Sequence, residues 1–224
     1  MPDNSNLARV DLAGLLEVLE RDGILLLSDA ALPSVAALVV GEHFRGSWWG
    51  HPRGGRIFHL LNEINDDPSV LATKLVEGKV TFVRRRLWSS IVAIGEARDA
   101  WQMQDLSEAG RELLLDLDAA GRLAWDDIPA FLPPDNARCK DVVRGLEERL
   151  LAHIVEVHTP SGAHAKDLQT WRGWAAGAGI EQPWPTADQA RHTLEVGVDE
   201  LNTRYAGRAR LPWRRVKREP RRPS

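Results

Sequence analysis

The chain has 224 residues, 43% hydrophobic and 27% charged, with a net charge of −3, the balance of an ordinary folded protein with room for one large domain or two small ones. Its longest apolar runs, residues 24–27 and 35–40, are too short to cross a bilayer, so no membrane partner is expected. The single cysteine, Cys139, excludes an internal disulfide, and the opening Met-Pro-Asp-Asn-Ser-Asn lacks the basic start of a secretion signal, so the expected location is cytoplasmic.

After a frayed start over residues 1–10, Leu12, Leu15, Leu16 and Leu19 recur at helical spacing, and Gly23 stops the helix. Residues 24–27 read as a buried strand or a tight connection. Pro33 opens a helix over residues 33–43, with Val35, Leu38 and Val39 on its apolar side. The least ordinary stretch follows, Gly46-Ser-Trp-Trp-Gly-His-Pro-Arg-Gly-Gly-Arg56. Here Trp48 and Trp49 can stack on an unpaired base while Arg53 and Arg56 hold flanking phosphates, and His51 can move a proton near neutral pH. The other reading is that both tryptophans plug a seam between helices. Nine Trp against four Phe and one Tyr make tryptophan ordinary packing material in this chain.

Ile57, Phe58, Leu60, Leu61 and Ile64 describe a further helix, ended by Asn65-Asp66-Asp67-Pro68. Residues 70–76 and 79–85 then flank Glu77-Gly78, the signature of a two-residue hairpin. Pairing Val76 with Lys79 places Leu71, Thr73, Leu75, Val80 and Phe82 on a packed face and Lys74, Lys79 and Thr81 on a solvated one. The chain leaves through Arg84-Arg85-Arg86 into a helix carrying Leu87, Trp88, Ile91, Val92 and Ile94. That triplet, helped by Lys74 and Lys79, reads as a phosphate or other anion contact, or else as a solvated cluster paired with acids such as Glu96.

Past a polar joint at residues 102–107 the pattern begins again. Ser107 can cap a helix bearing Leu113, Leu114 and Leu117, and Gly121 can stop it. Residues 122–125 form a short strand, and Asp126-Asp127 can cap a brief helix ending before Pro133-Pro134. Residues 136–150 form a stronger helix with Cys139, Val142, Val143, Leu146 and Leu150 inward. Its outer face mixes Arg138, Lys140 and Arg144 with Asp141, Glu147 and Glu148, which suits a groove-reading helix or a solvated one. Residues 153–158 and 163–168 bracket Thr-Pro-Ser-Gly as a second hairpin. Beyond Trp171 a glycine- and proline-rich connector leads to a helix over residues 187–203. From Arg204 onward nine Arg/Lys against one Glu give a local charge of +8, which leaves −11 on residues 1–203. That end reads as a disordered arm, able to bind nucleic acid through counterion release or only to solubilise.

This order predicts an α-rich α+β protein with two winged-helix-like lobes, each with a short β-hairpin. Residues 10–104 make the first lobe with its hairpin wing, and residues 105–172 the second winged-helix lobe. Residues 173–203 make the connector and C-terminal helix, and residues 204–224 a disordered basic tail. No metal is expected, because the chain has no His-Glu-any-any-His and no paired cysteines; His153, His158 and His164 lie on or beside the second hairpin, where they could converge or be ordinary surface or half-buried histidines. No cofactor is expected either: Gly173, Gly177 and Gly179 do not form a phosphate-cradling loop.

Three stretches carry a resemblance: Gly46-Ser-Trp-Trp-Gly-His-Pro-Arg53, Thr73-Lys-Leu-Val-Glu-Gly-Lys-Val-Thr-Phe-Val-Arg-Arg-Arg-Leu-Trp88, and Leu146-Glu-Glu-Arg-Leu-Leu-Ala-His153 continuing to Glu156-Val-His-Thr159. Through them the chain resembles a bacterial family of winged-helix proteins related to the AlkZ (YcaQ-like) crosslink-repair DNA glycosylases. The resemblance implies DNA as partner, bound through winged helices, and in the glycosylases base excision without a metal. Those enzymes carry a Gln-any-Gln or Gln-any-Asp motif near their N-terminal end. The matching neighbourhood, Leu25-Leu26-Leu27-Ser28-Asp29, offers Asp29 without a glutamine, and Gln102-Met103-Gln104 has the letters at the joint between halves. Asp29 and His51 are the catalytic candidates. Three functions stay open: a DNA-binding regulator or non-catalytic repair relative, an active monofunctional glycosylase for alkylated or crosslinked bases, and a protein-interaction module built on winged helices.

Overall fold

In the computed structural model, which describes residues 10–43, 46–128, 136–158 and 164–214, the first periodic leucines form α1 (Leu12–Asp22). Asp11 accepts a hydrogen bond from the Gly14 amide at its start, and Gly23, at φ 78°, closes its end. Strand β1 (Ile24–Leu26), α2 (Val35–Val40) and α3 (Gly54–Asn65) follow. The hairpin of β2 (Val70–Val76) and β3 (Lys79–Arg84) turns at Glu77 and Gly78, both at positive φ, as a two-residue turn matched to strand twist requires. Helices α4 (Trp88–Ala97) and α5 (Ala100–Met103) lead into the second half. There α6 (Glu108–Ala120), β4 (Arg122–Ala124), α7 (Asn136–Glu148), β5 (His153–His158) and β6 (His164–Gln169) follow in turn. Ser107 caps α6 by accepting from the Gly110 amide at 3.1 Å. The chain then forms α8 (Trp171–Gly177) and α9 (Ala187–Tyr205).

Each half builds one three-stranded antiparallel sheet, in the orders β1-β3-β2 and β4-β6-β5. In both, the short first strand pairs with the last strand of the hairpin. The result is an α-rich α+β arrangement.

The first sheet corrects the expected register. Val76 does face Lys79, but Thr73 faces Thr81, so β2 carries a bulge between Thr73 and Val76. Leu71 then pairs with Val83 and Ala72 with Phe82, on opposite faces. Leu71, Leu75 and Val83 enter a core with Ile91 and Ile94 of α4 and with Leu194 and Val198 of α9. Phe82 and Val70 enter another with Leu15 and Leu19 of α1 and Ile57 and Leu60 of α3. The face expected to be solvated is largely covered, with Thr81 fully buried, so residues of this sheet enter two separate cores. A third core joins Leu113 and Leu117 of α6, Leu146 of α7 and Leu168 of β6.

Helix α4 lies against both α8 and α9. Gly95 makes the first approach possible, since a methyl there would fall inside the Trp171 indole. The Trp171 indole donates to the Leu150 carbonyl at 2.8 Å. Gln102 is buried, and its carboxamide accepts from the Asp99 amide at 2.8 Å and donates to the Arg149 carbonyl at 3.0 Å. The glutamine at the polar joint is therefore a brace between the halves.

The segment after residue 173 is more ordered than its glycines suggest, because Thr170 caps α8 by accepting from the Gly173 amide. The expected disorder from residue 204 is corrected as well. Leu211 is buried, the Trp213 indole donates to Glu195 at 2.7 Å, and the Arg210 carbonyl accepts from the Glu77 amide at 3.1 Å. Those contacts fasten the chain to α9 and to the first hairpin as far as Arg214; the rest of the basic tail, residues 215–224, lies outside the described residues. Asp22 ties α1 to α9, accepting from Arg21 at 2.8 Å, from the Tyr205 hydroxyl at 2.7 Å and from Arg204. Burial alone would raise its pKa, but the Arg21 and Tyr205 donors hold the carboxyl below the usual aspartate range. Among the described residues no helix is long and apolar enough to cross a membrane.

Candidate functional site

The Trp-Trp segment is shaped by its small residues. Ser47 accepts from the Trp49 amide at 3.3 Å, which starts a single 3-10 turn over Trp48–Gly50. The His51 amide donates back to the Trp48 carbonyl at 3.0 Å, and the Gly54 amide to the His51 carbonyl at 2.7 Å. The His51 Nδ1 accepts from the Arg53 amide at 3.1 Å, so this ring helps fold the loop. The two tryptophans separate in environment. Trp48 is buried in the first-lobe core, whereas Trp49 is 68% exposed. Their rings stack at a centroid distance of 4.2 Å and an interplanar angle of 22°, and Trp49 also leans on Phe58 at 5.8 Å.

Trp49 and Phe58 form one wall of a cleft of about 320 Å³ between the lobes. Asn62 and Asn65 line it from the same face of α3 as Phe58, four and seven residues on. Ala72 and Val80 of the first sheet and Ile154 of β5 complete its apolar lining. Across it, Lys74 of β2 meets Glu147 of α7 at 2.7 Å, both side chains mostly buried. This ion pair links the lobes at the cleft and leaves it electrically balanced. Asn62 and Asn65 are exposed, and neither carboxamide makes a hydrogen bond among the described residues.

The other expected site residues lie elsewhere. Arg53 donates to the Val39 carbonyl at 2.7 Å and the Val40 carbonyl at 3.3 Å, capping the C-terminal end of α2 where a cation is favoured. Arg56 reaches the Val10 carbonyl at 3.4 Å. Asp29 accepts from the Ala31 and Leu32 amides at 2.8 and 2.9 Å and from Lys79 at 2.7 Å. Burial would raise its pKa, but Lys79 and those amides hold it below the ordinary aspartate range. Lys79 also meets Glu77 at 2.9 Å. Asp29, His51 and Arg53 do not line the cleft, whereas Trp48, Trp49 and Lys74 do.

The arginine triplet is spent on the protein's own groups. Arg84 meets Glu20 and donates to the Ser69 hydroxyl at 2.5 Å. Arg86 donates to the Glu20 carbonyl at 2.5 Å. Arg85 reaches the Ala178 and Gly179 carbonyls at 3.1 and 3.3 Å and lies 5.1 Å over the Trp88 ring. The acid expected nearby, Glu96, instead holds Arg172 at 3.1 Å. On α7, Lys140 is exposed and Arg144 pairs with Asp141 at 2.6 Å in the open, while the Arg138 side chain lies outside the described residues. The sequence places Phe58 on the apolar side of a helix and Asn65 at its end, and marks neither of them, nor Asn62, as a site residue. Their signal was an aromatic and two amides at helical spacing, just after the Trp pair.

His153 is buried beside Trp171 and Trp174, with ring centroids 5.1 and 5.3 Å away and no partner for its Nδ1 among the described residues. Burial pushes its pKa down to about 3. The side chains of His158 and His164 lie outside the described residues. Among the described residues no group of three or more His, Cys, Asp or Glu is placed to hold a metal ion. No protein-family model matches the chain, and no curated protein or solved structure matches it.

Proposed function

We propose that this protein binds DNA through two winged-helix-like lobes, as a repair-related or regulatory relative of the AlkZ-type glycosylases. The observation that carries this reading is the shared topology, a helix, a short strand, two helices in the first half and one among the described residues of the second, then a hairpin, with the first strand paired to the last in both sheets. In such a module the helix before the hairpin is the one offered to the major groove. In the second lobe that helix is α7, which holds Lys140 and the half-exposed Arg144 outward. Binding without excision is favoured, because both oxygens of Asp29 already accept hydrogen bonds within the protein and Gln102 is buried in the joint.

A mobility-shift titration of a plain duplex over a salt series tests this reading. Affinity should fall as salt rises, and Lys140→Ala should reduce the slope of log K against log salt by about 1. A duplex that does not shift even at low salt would overturn it. The reading then left is a protein-interaction module, favoured by the internal pairing of Lys74, Lys79 and Arg84. Incubation with alkylated or crosslinked DNA, scored for abasic sites, separates binding from excision.

A further inference from the structure

We propose that the cleft between the lobes is a binding site for one planar nitrogen heterocycle, stacked on Trp49 and held at its edge by Asn62 and Asn65. The stacking surface is already built. Trp48 is fixed in the core and lies flat against Trp49, so the outer indole is held in one plane while 68% of the residue stays in water. A flat partner would remove that apolar surface from water at small cost in side-chain freedom.

The chemistry of the lining narrows the occupant. A carboxamide offers donor and acceptor side by side, the pattern complementary to the edge of a nucleobase. Asn62 and Asn65 both border the cleft with no hydrogen-bond partner among the described residues. A purely apolar ligand would strand those amides away from water. An anionic group finds no uncommitted cation there, because Lys74 is matched by Glu147 at 2.7 Å. The ligand is therefore neutral and aromatic, with polar atoms at its rim. A volume of about 320 Å³ is at the small end of ligand pockets and suits a single base-sized group.

That chemistry has two sources, a free nucleoside or an unpaired base of a strand. The second rests on the DNA-binding reading above; the cleft itself does not. The full chain is titrated with the fluorescent base 2-aminopurine in three forms: the nucleoside, a duplex with one bulged 2-aminopurine, and the same duplex fully paired. Each duplex titration is run in parallel as a mobility shift.

The expected result is quenching of the bulged base and not of the paired one. Trp49→Ala should raise the half-quenching concentration roughly ten-fold or more, with smaller rises for Asn62→Ala and Asn65→Ala. All three side chains are exposed, so the melting temperature should not move, and the two asparagine variants keep the test decisive if the tryptophan variant fails to fold. Quenching of the nucleoside without any duplex shift supports the cleft and overturns DNA as its source. A duplex shift with no quenching of bulge or nucleoside overturns the cleft and leaves DNA binding standing. Quenching that all three variants leave unchanged also overturns it.

Discussion

The two halves share a helix, a short strand and a later hairpin, with α2 and α3 before the first hairpin and α7 before the second, and they use their sheets differently. In the first half β1, β2 and β3 are buried on both faces, by α1 and α3 on one side and by α4 and α9 on the other. In the second half β4 is exposed or half-buried along its length, and β6 gives Leu168 to a core shared with α6 and α7. The first half is therefore the anchor, and the second is attached through side chains at the joint: Trp171, Gln102 and the Lys74–Glu147 pair. Cover on both faces leaves the first sheet open only around Ala72 and Val80. The open surface moves to the boundary between the halves, which is where the cleft lies.

The sharpest way to break this division of labour is Gly95→Ala. The added methyl would collide with the Trp171 indole and force α4 and α8 apart, a change expected to cost about 3 kcal/mol. Urea denaturation should show a lower midpoint, with the second half becoming protease-sensitive first. Loss spread evenly over both halves would mean that the joint is not the weak seam.

Acid should act next. His153 has a folded pKa of about 3 against an ordinary value near 6.5, so the folded state prefers the neutral ring. Above pH 6.5 this carries no penalty. As pH falls below 6.5 the unfolded chain takes up a proton that the folded one refuses, and stability drops by about 1.4 kcal/mol per unit, or about 2 kcal/mol by pH 5. Asp22 and Asp29, with lowered values, act only below the ordinary aspartate range. A His153→Leu variant should lose most of the slope between pH 6.5 and 5 in melting curves; an unchanged slope would place the titrating group elsewhere.

The elements were legible wherever local chemistry set them. The Gly23 stop, the Ser107 cap, the Glu77-Gly78 turn and the helical spacing of Leu15 and Leu19 all act within a few residues, and each forms as read. The bulge in β2 was hidden, because it answers to two cores arriving from distant parts of the chain. The candidate site was half legible for the same reason. Composition marks the Trp pair as unusual but cannot divide it into a buried and an exposed ring, since that depends on α3 and the second lobe. The arginine triplet misled more fully. Three adjacent cations look available until the carbonyls of residues 178 and 179 and of Glu20 are seen to accept from them.

Arg84→Ala tests that reassignment. Its guanidinium is mostly buried between Glu20 and Ser69, so removal should cost about 1 kcal/mol of stability. Duplex affinity at fixed salt should stay within two-fold, against the change expected for Lys140→Ala. A loss of affinity with unchanged stability would return Arg84 to the DNA-facing surface.

The smallest expected effect is the most informative about the cleft. With two thirds of Trp49 already in water, Trp49→Ala removes little buried area and should change stability by about 0.5 kcal/mol or less. Trp48 is a different case, since truncating it would open a cavity in the first-lobe core. The two variants, compared by chemical denaturation, therefore measure how far one stacked pair has been divided between packing and an open surface. If Trp49→Ala cost as much as the loss of its buried neighbour, the exposed indole would have to be covered in solution. The natural cover is Ile154 and the rest of the second lobe closing over the cleft, and the proposed stacking face would then be an internal contact of the fold.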